Sequence, residues 1–172
     1  PYPIMQIGPA GGYIFYDKGY YSDGWRYLET APASTIWDEK VWGGCNTYVG
    51  RTLEIVGSGK TNTEYIVSEF GDADPYYKKR DYAAKLCADL VVENDGILYD
   101  DWFLPSKDEL NLMYQNLVKN GLGVPSNYEG YWSSSEYNDK GAWLQRFNND
   151  TSFYRGTYYI NARNSVWAVR AF

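Results

Sequence analysis

The hydrophobic pattern of the chain changes period at Gly130, and this change limits the folds that the chain can adopt. Before it, residues 81–93 and 107–119 carry apolar side chains at helical spacing. After it, short apolar and aromatic runs alternate with polar turns, which is typical of strands. Helices followed by a compact β region, with long loops between them, predict one α+β domain over residues 1–172.

Local signals indicate where the helices begin and end. Asp81 is a good N-cap for the first helix, which Asn94-Asp95-Gly96 is expected to end. Ser106 and Glu109 have the spacing of a capping box at the start of the second helix. A shorter helix is expected to begin with Thr63 as its cap.

Strands are expected near both ends of the chain. The candidate segments are residues 12–16, 25–29, 142–148, 152–155, 157–161 and 166–171. Asp17-Lys18-Gly19 and Asn148-Asn149-Asp150 are expected to form turns. Residues 30–62 are rich in Gly, Trp and polar residues, and we interpret them as long loops.

The charge balance argues against general nucleic-acid binding. The 16 Lys and Arg residues face 22 Asp and Glu residues, a net charge of −6, whereas phosphate backbones require a basic field. No apolar run approaches the roughly 18 residues of a membrane helix, and no signal peptide is recognised. The abrupt start at Pro1 predicts that a targeting segment lies outside this sequence.

Aromatic residues are abundant, with 19 Tyr and 7 Trp. Tyr fills strands, but it also provides a large contact area with few rotatable bonds, so strand packing and a binding surface are both consistent with this composition. Four Trp residues have apolar neighbours, and we interpret them as core residues rather than platforms for sugar rings: Trp25, Trp102, Trp132 and Trp143.

Cys45 and Cys87 leave two alternatives open. One disulfide would fit an exported protein, and two buried free thiols fit equally well because Cys87 falls in an apolar helical stretch. Two Cys and no His are too few ligands for a zinc site. The absence of His also removes the usual general base of Ser and Cys hydrolases, so no catalytic residue and no cofactor are predicted.

Two motifs suggest chemistry but have the wrong spacing. Residues 57–61, GSGKT, resemble the end of a phosphate-binding loop, yet the first Gly of that motif falls at Glu54. Asp72-Ala73-Asp74 and Asp100-Asp101 offer carboxylates to a hard cation such as calcium, or to glycoside hydrolysis. Neither pair has the spacing of a calcium loop or a recognisable cleft, so we interpret both as turn residues.

Residues 131–172 carry the strongest functional signal. Trp132, Phe147 and Val169 near the ends of the segment fit a scaffold, whereas Asn, Asp, Ser, Thr, Tyr and Arg crowd its middle without a core period. Residues 146–166 contain no Lys, Glu, Gln, Met or Trp over 21 positions. A surface shaped by solubility alone would use Lys and Glu freely, so this segment is predicted to bind a ligand.

Short motifs along nearly the whole chain resemble, in order, one bacterial domain family. They are GPAGGYIFYDKG (8–19), GWRYLETAP (24–32), GSGKTNT (57–63), AAKLCADL (83–90), DDWFLPSKDELNLMYQNL (100–117), YWSSSEY (131–137), AW (142–143) and VRAF (169–172). The family is named after the C-terminal domain of a Legionella collagen-like protein. The resemblance implies a C-type-lectin-like fold, with two helices on a twisted antiparallel sheet, long loops, and N- and C-terminal strands close together. It also implies a cell-surface or extracellular location without an enzymatic role.

Some members of this family resemble the variable proteins of diversity-generating retroelements from bacteria and phages. In these systems adenines of a template are copied with errors, so codons of the Asn type vary. Randomising both adenines of AAC or AAT cannot produce Lys, Glu, Gln, Met or Trp, the five types missing from residues 146–166. The resemblance therefore implies that residues 131–172 form a variable ligand-binding region, in which Trp167 is fixed. Lys140 cannot arise by this route either, so it is fixed or it indicates that variation does not start so early.

The expected ligand-facing residues occupy alternate or looped positions between residues 138 and 163. They are Asp139, Leu144, Arg146, Asn148, Ser152, Tyr154, Arg155, Tyr158, Tyr159, Asn161 and Arg163. Strand alternation favours Leu144 and Arg146 on the ligand side, opposite Trp143 and Gln145. A protein is the expected ligand because a broad mixed face suits a large flat partner, with a glycan as the alternative.

Two other functions stay open. A fixed-specificity carbohydrate-binding lectin or adhesin would use the same face, although the Glu-Pro-Asn and Trp-Asn-Asp motifs of calcium-dependent lectins are absent. An oxidase related to the formylglycine-generating enzymes would need a pair of reactive cysteines close together, here Cys45 and Cys87.

Overall fold

The structure is a computed structural model that describes residues 1–44, 46–122, 130–147, 155–159 and 162–172. For residues 155–159 it describes the backbone alone. The described part contains three α-helices and several small β-sheets, so the predicted mixed α+β class is confirmed. The helices are α1 (Gly59–Phe70), α2 (Ala83–Ala88) and α3 (Lys107–Asn116), with 3-10 turns at Ala33–Thr35 and Val118–Asn120.

Ten strands form three sheets within the described residues. The strands are β1 (Ile14–Ser22), β2 (Trp25–Thr30), β3 (Trp37–Val41), β4 (Val92–Asn94), β5 (Ile97–Tyr99), β6 (Gly130–Asn138), β7 (Gly141–Arg146), β8 (Arg155–Tyr159), β9 (Arg163–Val166) and β10 (Val169–Ala171). The sheet orders are β1-β2-β10, β3-β9-β6-β7-β8 and β4-β5. Because β10 pairs with β2, the strands from the two ends of the chain lie together, as expected.

Helix α1 begins earlier than the sequence predicted. Its N-cap is Ser58, and Thr63 lies inside the helix instead of capping it. The Thr63 hydroxyl donates to the carbonyl of Gly59 at 2.8 Å and accepts the N–H of Leu104 at 3.0 Å. Thr63 therefore ties α1 to the segment that leads into α3.

Helix α2 is shorter than the predicted helix over residues 81–93. Its N-cap is Tyr82, while Asp81 pairs with Lys40 at 2.9 Å instead of capping. Residues Asp95 and Gly96 have φ of 51° and 78°, the two positive values of a tight hairpin turn, and this turn pairs β4 with β5. The Asn-Asp-Gly signal therefore makes a hairpin, and the chain leaves the helix before reaching it.

The predicted capping box of α3 is confirmed. The Ser106 hydroxyl accepts the N–H of Glu109, and the Glu109 carboxylate accepts the N–H of Ser106 at 2.7 Å. The same carboxylate also accepts the N–H of Gly57 at 2.8 Å and of Gly59 at 3.3 Å. The loop that resembles a phosphate-binding loop thus surrounds the chain's own carboxylate, which a Cβ at Gly59 would overlap.

Two further expectations, both about residues 17–62, are wrong. Residues 30–62 are not all loop, because β3 lies there and pairs with β9 more than a hundred positions away. Asp17-Lys18-Gly19 lies inside β1 instead of forming a turn, and Asp17 binds Arg26 through two short contacts of 2.8 and 3.0 Å. A strand whose partner is distant in sequence leaves little local signal.

The core joins the two larger sheets to the helices. Trp42, Trp132 and Trp167 are almost completely buried, and each indole N–H donates to a backbone carbonyl. Ser133, Ser134 and Ser135 of β6 are also fully buried. Their side chains bind the backbone or side chains of neighbouring segments, which explains why a run of serines lies at the centre of the fold.

A buried network of charged side chains joins β10 to β2 in the three-stranded sheet. Arg170 of β10 makes two contacts with Asp101, at 2.8 and 2.9 Å, and one with Glu29 at 3.2 Å. Glu29 has no exposed surface, and its other oxygen accepts the N–H groups of Ala10 and Gly12. Burial raises the pKa of Glu29 against these hydrogen bonds and the guanidinium of Arg170, which lower it.

Candidate functional site

The expected ligand-facing residues divide into three groups in the structure. Four lie outside the described residues: Asn148, Ser152, Tyr154 and Asn161. Arg155, Tyr158 and Tyr159 lie in β8, whose backbone is described. Asp139, Leu144, Arg146 and Arg163 are described with their side chains.

Strands β7 and β8 bring part of this set together along one edge of the five-stranded sheet. Tyr159 pairs with Gly141 and Tyr158 with Ala142, so both lie close to the β6–β7 turn that contains Asp139. Arg155 pairs with Gln145, which places it beside the exposed Arg146 at the other end of β7. We call Asp139, Arg146 and β8 together the edge strip.

Leu144 does not lie on an exposed face. Its side chain is only 4% exposed and belongs to the core cluster, unlike the ligand-facing position expected for it. Its neighbour Gln145 is also buried and donates to Asn111 of α3 at 3.3 Å. The expected contrast between an inner and an outer face fails because both faces of β7 are covered at this point: Leu144 packs in the core on one face, and Gln145 contacts α3 on the other.

Arg163 lies apart from the edge strip. It is in β9 beside β3, where its guanidinium donates to the carbonyl of Glu39 at 3.1 Å. Strands β6 and β7 separate β9 from β8, a distance of about 14 Å at ordinary strand spacing. A partner that contacts both Arg163 and β8 would therefore have to cross the width of the sheet.

Residues 46–50 form hydrogen bonds with the end of β6 and with the turn between β6 and β7. The carbonyl of Asp139 accepts the N–H of Asn46 at 2.9 Å. The carboxylate of Glu136 accepts the N–H groups of Val49 and Gly50 at 2.8 and 2.9 Å. Burial raises the pKa of Glu136, although these two hydrogen bonds lower it. The fixed turn gives one end of the edge strip a defined position.

Two buried donors near this sheet lack an acceptor among the described residues. They are the indole Nε1 of Trp143 in β7 and the amide Nδ2 of Asn164 in β9. The Trp143 ring lies under the ammonium of Lys107 at 3.9 Å and against the edge of Tyr137 at 5.5 Å. The indole Nε1 is itself buried, so it is not part of the exposed surface of the edge strip.

The carboxylate pairs singled out in the sequence have structural contacts. Asp74 is fully buried and accepts the N–H groups of Tyr76, Tyr77 and Lys79, which shapes their loop. Asp101 pairs with Arg170 as described above. In the part of the chain that the structure describes, no group of three or more His, Cys, Asp or Glu residues could hold a metal ion.

Cys87 is a free and fully buried thiol. Burial raises its pKa well above the ordinary value, so the reactive thiolate is disfavoured. Cys45 lies outside the described residues. Of the two alternatives left open by the sequence, a disulfide or buried free thiols, the second applies to Cys87.

Sequence reasoning missed two concave surfaces outside the tail. One is a depression of about 610 Å³ between α1 and residues 100–103. The other is a groove of about 500 Å³ between the β1–β2 hairpin, residues 51–58 and α1. The signal for the groove was weak: Leu53 and Ile55 are large apolar residues in a segment interpreted as loop, and both are more than half exposed.

Comparison with known proteins finds similarity to a solved structure. No protein-family model and no curated protein match the chain, so the family resemblance inferred from the motifs stays a prediction. A solved structure, a fimbrial protein from Bacteroides ovatus ATCC 8483, is similar with a TM-score of 0.54 at 14% sequence identity. The match covers 86% of this chain but only 36% of that chain, and at this identity it concerns the fold alone.

The helices are short and amphipathic. Within the described residues, none has the length and apolar character needed to cross a membrane.

Proposed function

We propose that the chain is a non-enzymatic ligand-binding domain with a C-type-lectin-like fold, displayed at a cell surface or outside the cell. In this proposal it is the variable protein of a diversity-generating retroelement and binds a protein partner through the edge strip and the adjoining tail. The proposal includes no catalytic step, no cofactor and no nucleic acid.

One observation carries the proposal. The five residue types that adenine-directed mutation cannot produce are missing from residues 146–166, and this window includes the whole of β8 at the sheet edge. Trp132 and Trp167 lie outside the window and are buried in the core. Adenine-directed mutation could not restore either Trp once it was lost. In this proposal the exposed part of the window varies, whereas Trp132 and Trp167 belong to the fixed scaffold, as do the buried Phe147, Ser165 and Val166 inside the window.

Two further observations support parts of the proposal. The similar solved structure is described as a fimbrial protein, which fits a surface location. The buried Cys87 thiol does not fit a reactive cysteine pair, which the oxidase alternative would need.

Gene sequences from sibling isolates test the diversification directly. We expect amino-acid differences to concentrate at codons derived from AAC or AAT between residues 138 and 163, with residues 1–130 nearly constant. Lys140 and Trp167 should not change. Differences spread evenly along the gene, or located at codons without adenine-derived changes, would contradict the proposal.

Tolerance to substitution provides a biophysical check. NNC codons at Arg146, Arg155 and Tyr158 should give variants that melt within about 5 °C of the parent, because Arg146 is exposed and, in this proposal, the other two positions face the ligand. The matched control applies the same codons to Ser133 and Ser134 in β6, which are fully buried. There the melting temperature should fall by about 10 °C or more. Equal losses in both sets, measured by differential scanning fluorimetry, would show that the edge strip is scaffold.

A further inference from the structure

The groove of about 500 Å³ lies far from the tail in sequence, and its lining comes from the hairpin of β1 and β2, the segment before α1, and α1 itself. We call it the aromatic groove, because Tyr20, Trp25 and Tyr65 are among its lining residues. Its volume falls within the range of about 300–1,000 Å³ that is usual for small-ligand sites. Of the expected ligand-facing residues whose side chains the structure describes, none lines it.

Arg51 is the group that indicates the chemistry of a ligand. Its guanidinium stacks on the Tyr65 ring at 4.4 Å from the ring centroid, and the residue is exposed. Within the described residues no carboxylate pairs with it. A guanidinium that lies over a ring keeps its N–H donors in its own plane, where they can bind a carboxylate through two parallel hydrogen bonds.

A second cation strengthens the positive character of the groove. The ammonium of Lys18 lies 3.9 Å from the Trp25 ring centroid and donates to the carbonyl of Ser22 at 2.7 Å. Among the described residues of the lining, Asp23 is the one acid; it is 3.9 Å from this ammonium, and its side chain is 87% exposed. The groove therefore has two cations against one acid, in a chain whose net charge is −6.

Several large apolar side chains that line the groove are exposed to solvent. Tyr20 is 65% exposed, Leu53 56% and Ile55 59%, and all three lie in the lining. Exposed apolar side chains gathered in one concavity, rather than scattered singly, indicate a surface that is covered by a ligand. The exposed ring of Tyr20 offers a face for the C–H side of a sugar ring.

We propose that the aromatic groove binds an acidic sugar of the hexuronic acid class. Arg51 holds the carboxylate of the sugar, Tyr20 stacks on its ring, and Lys18 contributes to the field that attracts the anion. A compact ring with hydroxyl groups suits a groove of this size. The groove has aromatic walls for the ring, the hydroxyl of Thr61 for a sugar hydroxyl, and the guanidinium of Arg51 for the carboxylate. The site is separate from the edge strip, so the domain would recognise a fixed acidic glycan and a variable protein partner with different surfaces.

Isothermal titration of the whole 172-residue chain with digalacturonic acid tests the site. We expect saturable binding to the wild type and a loss of affinity of about tenfold or more in Arg51→Ala, because the bidentate charge-assisted contact disappears. Arg51→Lys should fall between the two, since it keeps the charge but loses the planar pair of donors. Both variants change an exposed side chain, and a thermal melt verifies that they stay folded.

The controls separate the proposed ligand from its alternatives. Arg80→Ala removes another exposed arginine, paired with Asp72 outside the groove, and should bind digalacturonic acid as the wild type does. Cellobiose, a neutral disaccharide, should bind at least about tenfold more weakly. Absence of binding, equal affinity in Arg51→Ala, or equal affinity for cellobiose would overturn the proposal, as would a tri-glutamate peptide that binds as tightly as the sugar. Each of these results leaves the diversification of the tail untouched, since none of the probes depends on it.

Discussion

Arg170→Ala is expected to lower the free energy of unfolding by about 3–5 kcal/mol, because it leaves buried charge without a partner. Glu29 has no exposed surface, and Arg170 is the cation beside it. The same substitution frees the carboxylate of Asp101 and leaves the backbone bridge between Val169 and Phe103 to join β10 to the segment before α3. Chemical denaturation at pH 7 measures the loss.

The chain offers a matched control for this prediction. Arg26 binds Asp17 with nearly the same two-point geometry, at 2.8 and 3.0 Å, but both side chains are about one-third exposed. Arg26→Ala should therefore cost far less, because water screens the pair and solvates the remaining carboxylate. Adding Glu29→Gln to Arg170→Ala should restore part of the stability, since the buried charge is then absent. Equal losses in Arg170→Ala and Arg26→Ala would show that burial of the network contributes little.

Glu109→Ala is expected to cost about 3–5 kcal/mol, because the three backbone N–H groups of Ser106, Gly57 and Gly59 lose their common acceptor in a buried place. The substitution also removes the connection between the start of α3 and the start of α1. Asp108→Ala is the matched control. It removes an acid of the same helical turn that is only partly buried, and it should cost about 0.3–1 kcal/mol through the helix dipole.

The pH dependence of stability gives Glu109 a second signature. Burial raises its pKa to about 6, against the backbone hydrogen bonds that lower it, from an ordinary value of 4.5. A group whose pKa is raised on folding stabilises the fold below its unfolded pKa, and this contribution is lost as the pH rises through its folded pKa. Between pH 4.5 and pH 7 the wild type should therefore lose about 2 kcal/mol from this group, a loss that Glu109→Gln lacks. Parallel pH profiles for the two proteins would contradict the prediction.

Contacts between near neighbours in the sequence were the most predictable part of the fold. Ser106 and Glu109 form the capping box that their spacing indicated, because a capping box needs only four consecutive residues. The sequence did not reveal that the same carboxylate also reaches Gly57 and Gly59, which lie 52 and 50 positions away. The likeness of GSGKT to a phosphate-binding loop was a partial guide, since the loop does direct its N–H groups at an anion.

Partners that are distant in the chain explain most of the errors. The sequence of β3 resembles a loop because the strand is stabilised by pairing with β9, which lies near the other end of the chain. The expectation that Leu144 faces a ligand assumes that one face of the strand is exposed, whereas Leu144 and Gln145 are both buried, on opposite faces of β7. The contact between Arg51 and Tyr65 likewise joins a loop to a helix, and neither residue belongs to a recognisable motif.

The pairing of β2 with β10 brings the two ends of the polypeptide to one place. The carbonyl of Phe172 accepts the N–H groups of Arg26 and Tyr27, and the rings of Tyr2 and Phe172 are 5.4 Å apart. A short linker could therefore close the chain into a circle, or the domain could be inserted into a surface loop of another protein, at small entropic cost. In either arrangement the β6–β7–β8 edge would keep its geometry, because the join lies in the other sheet.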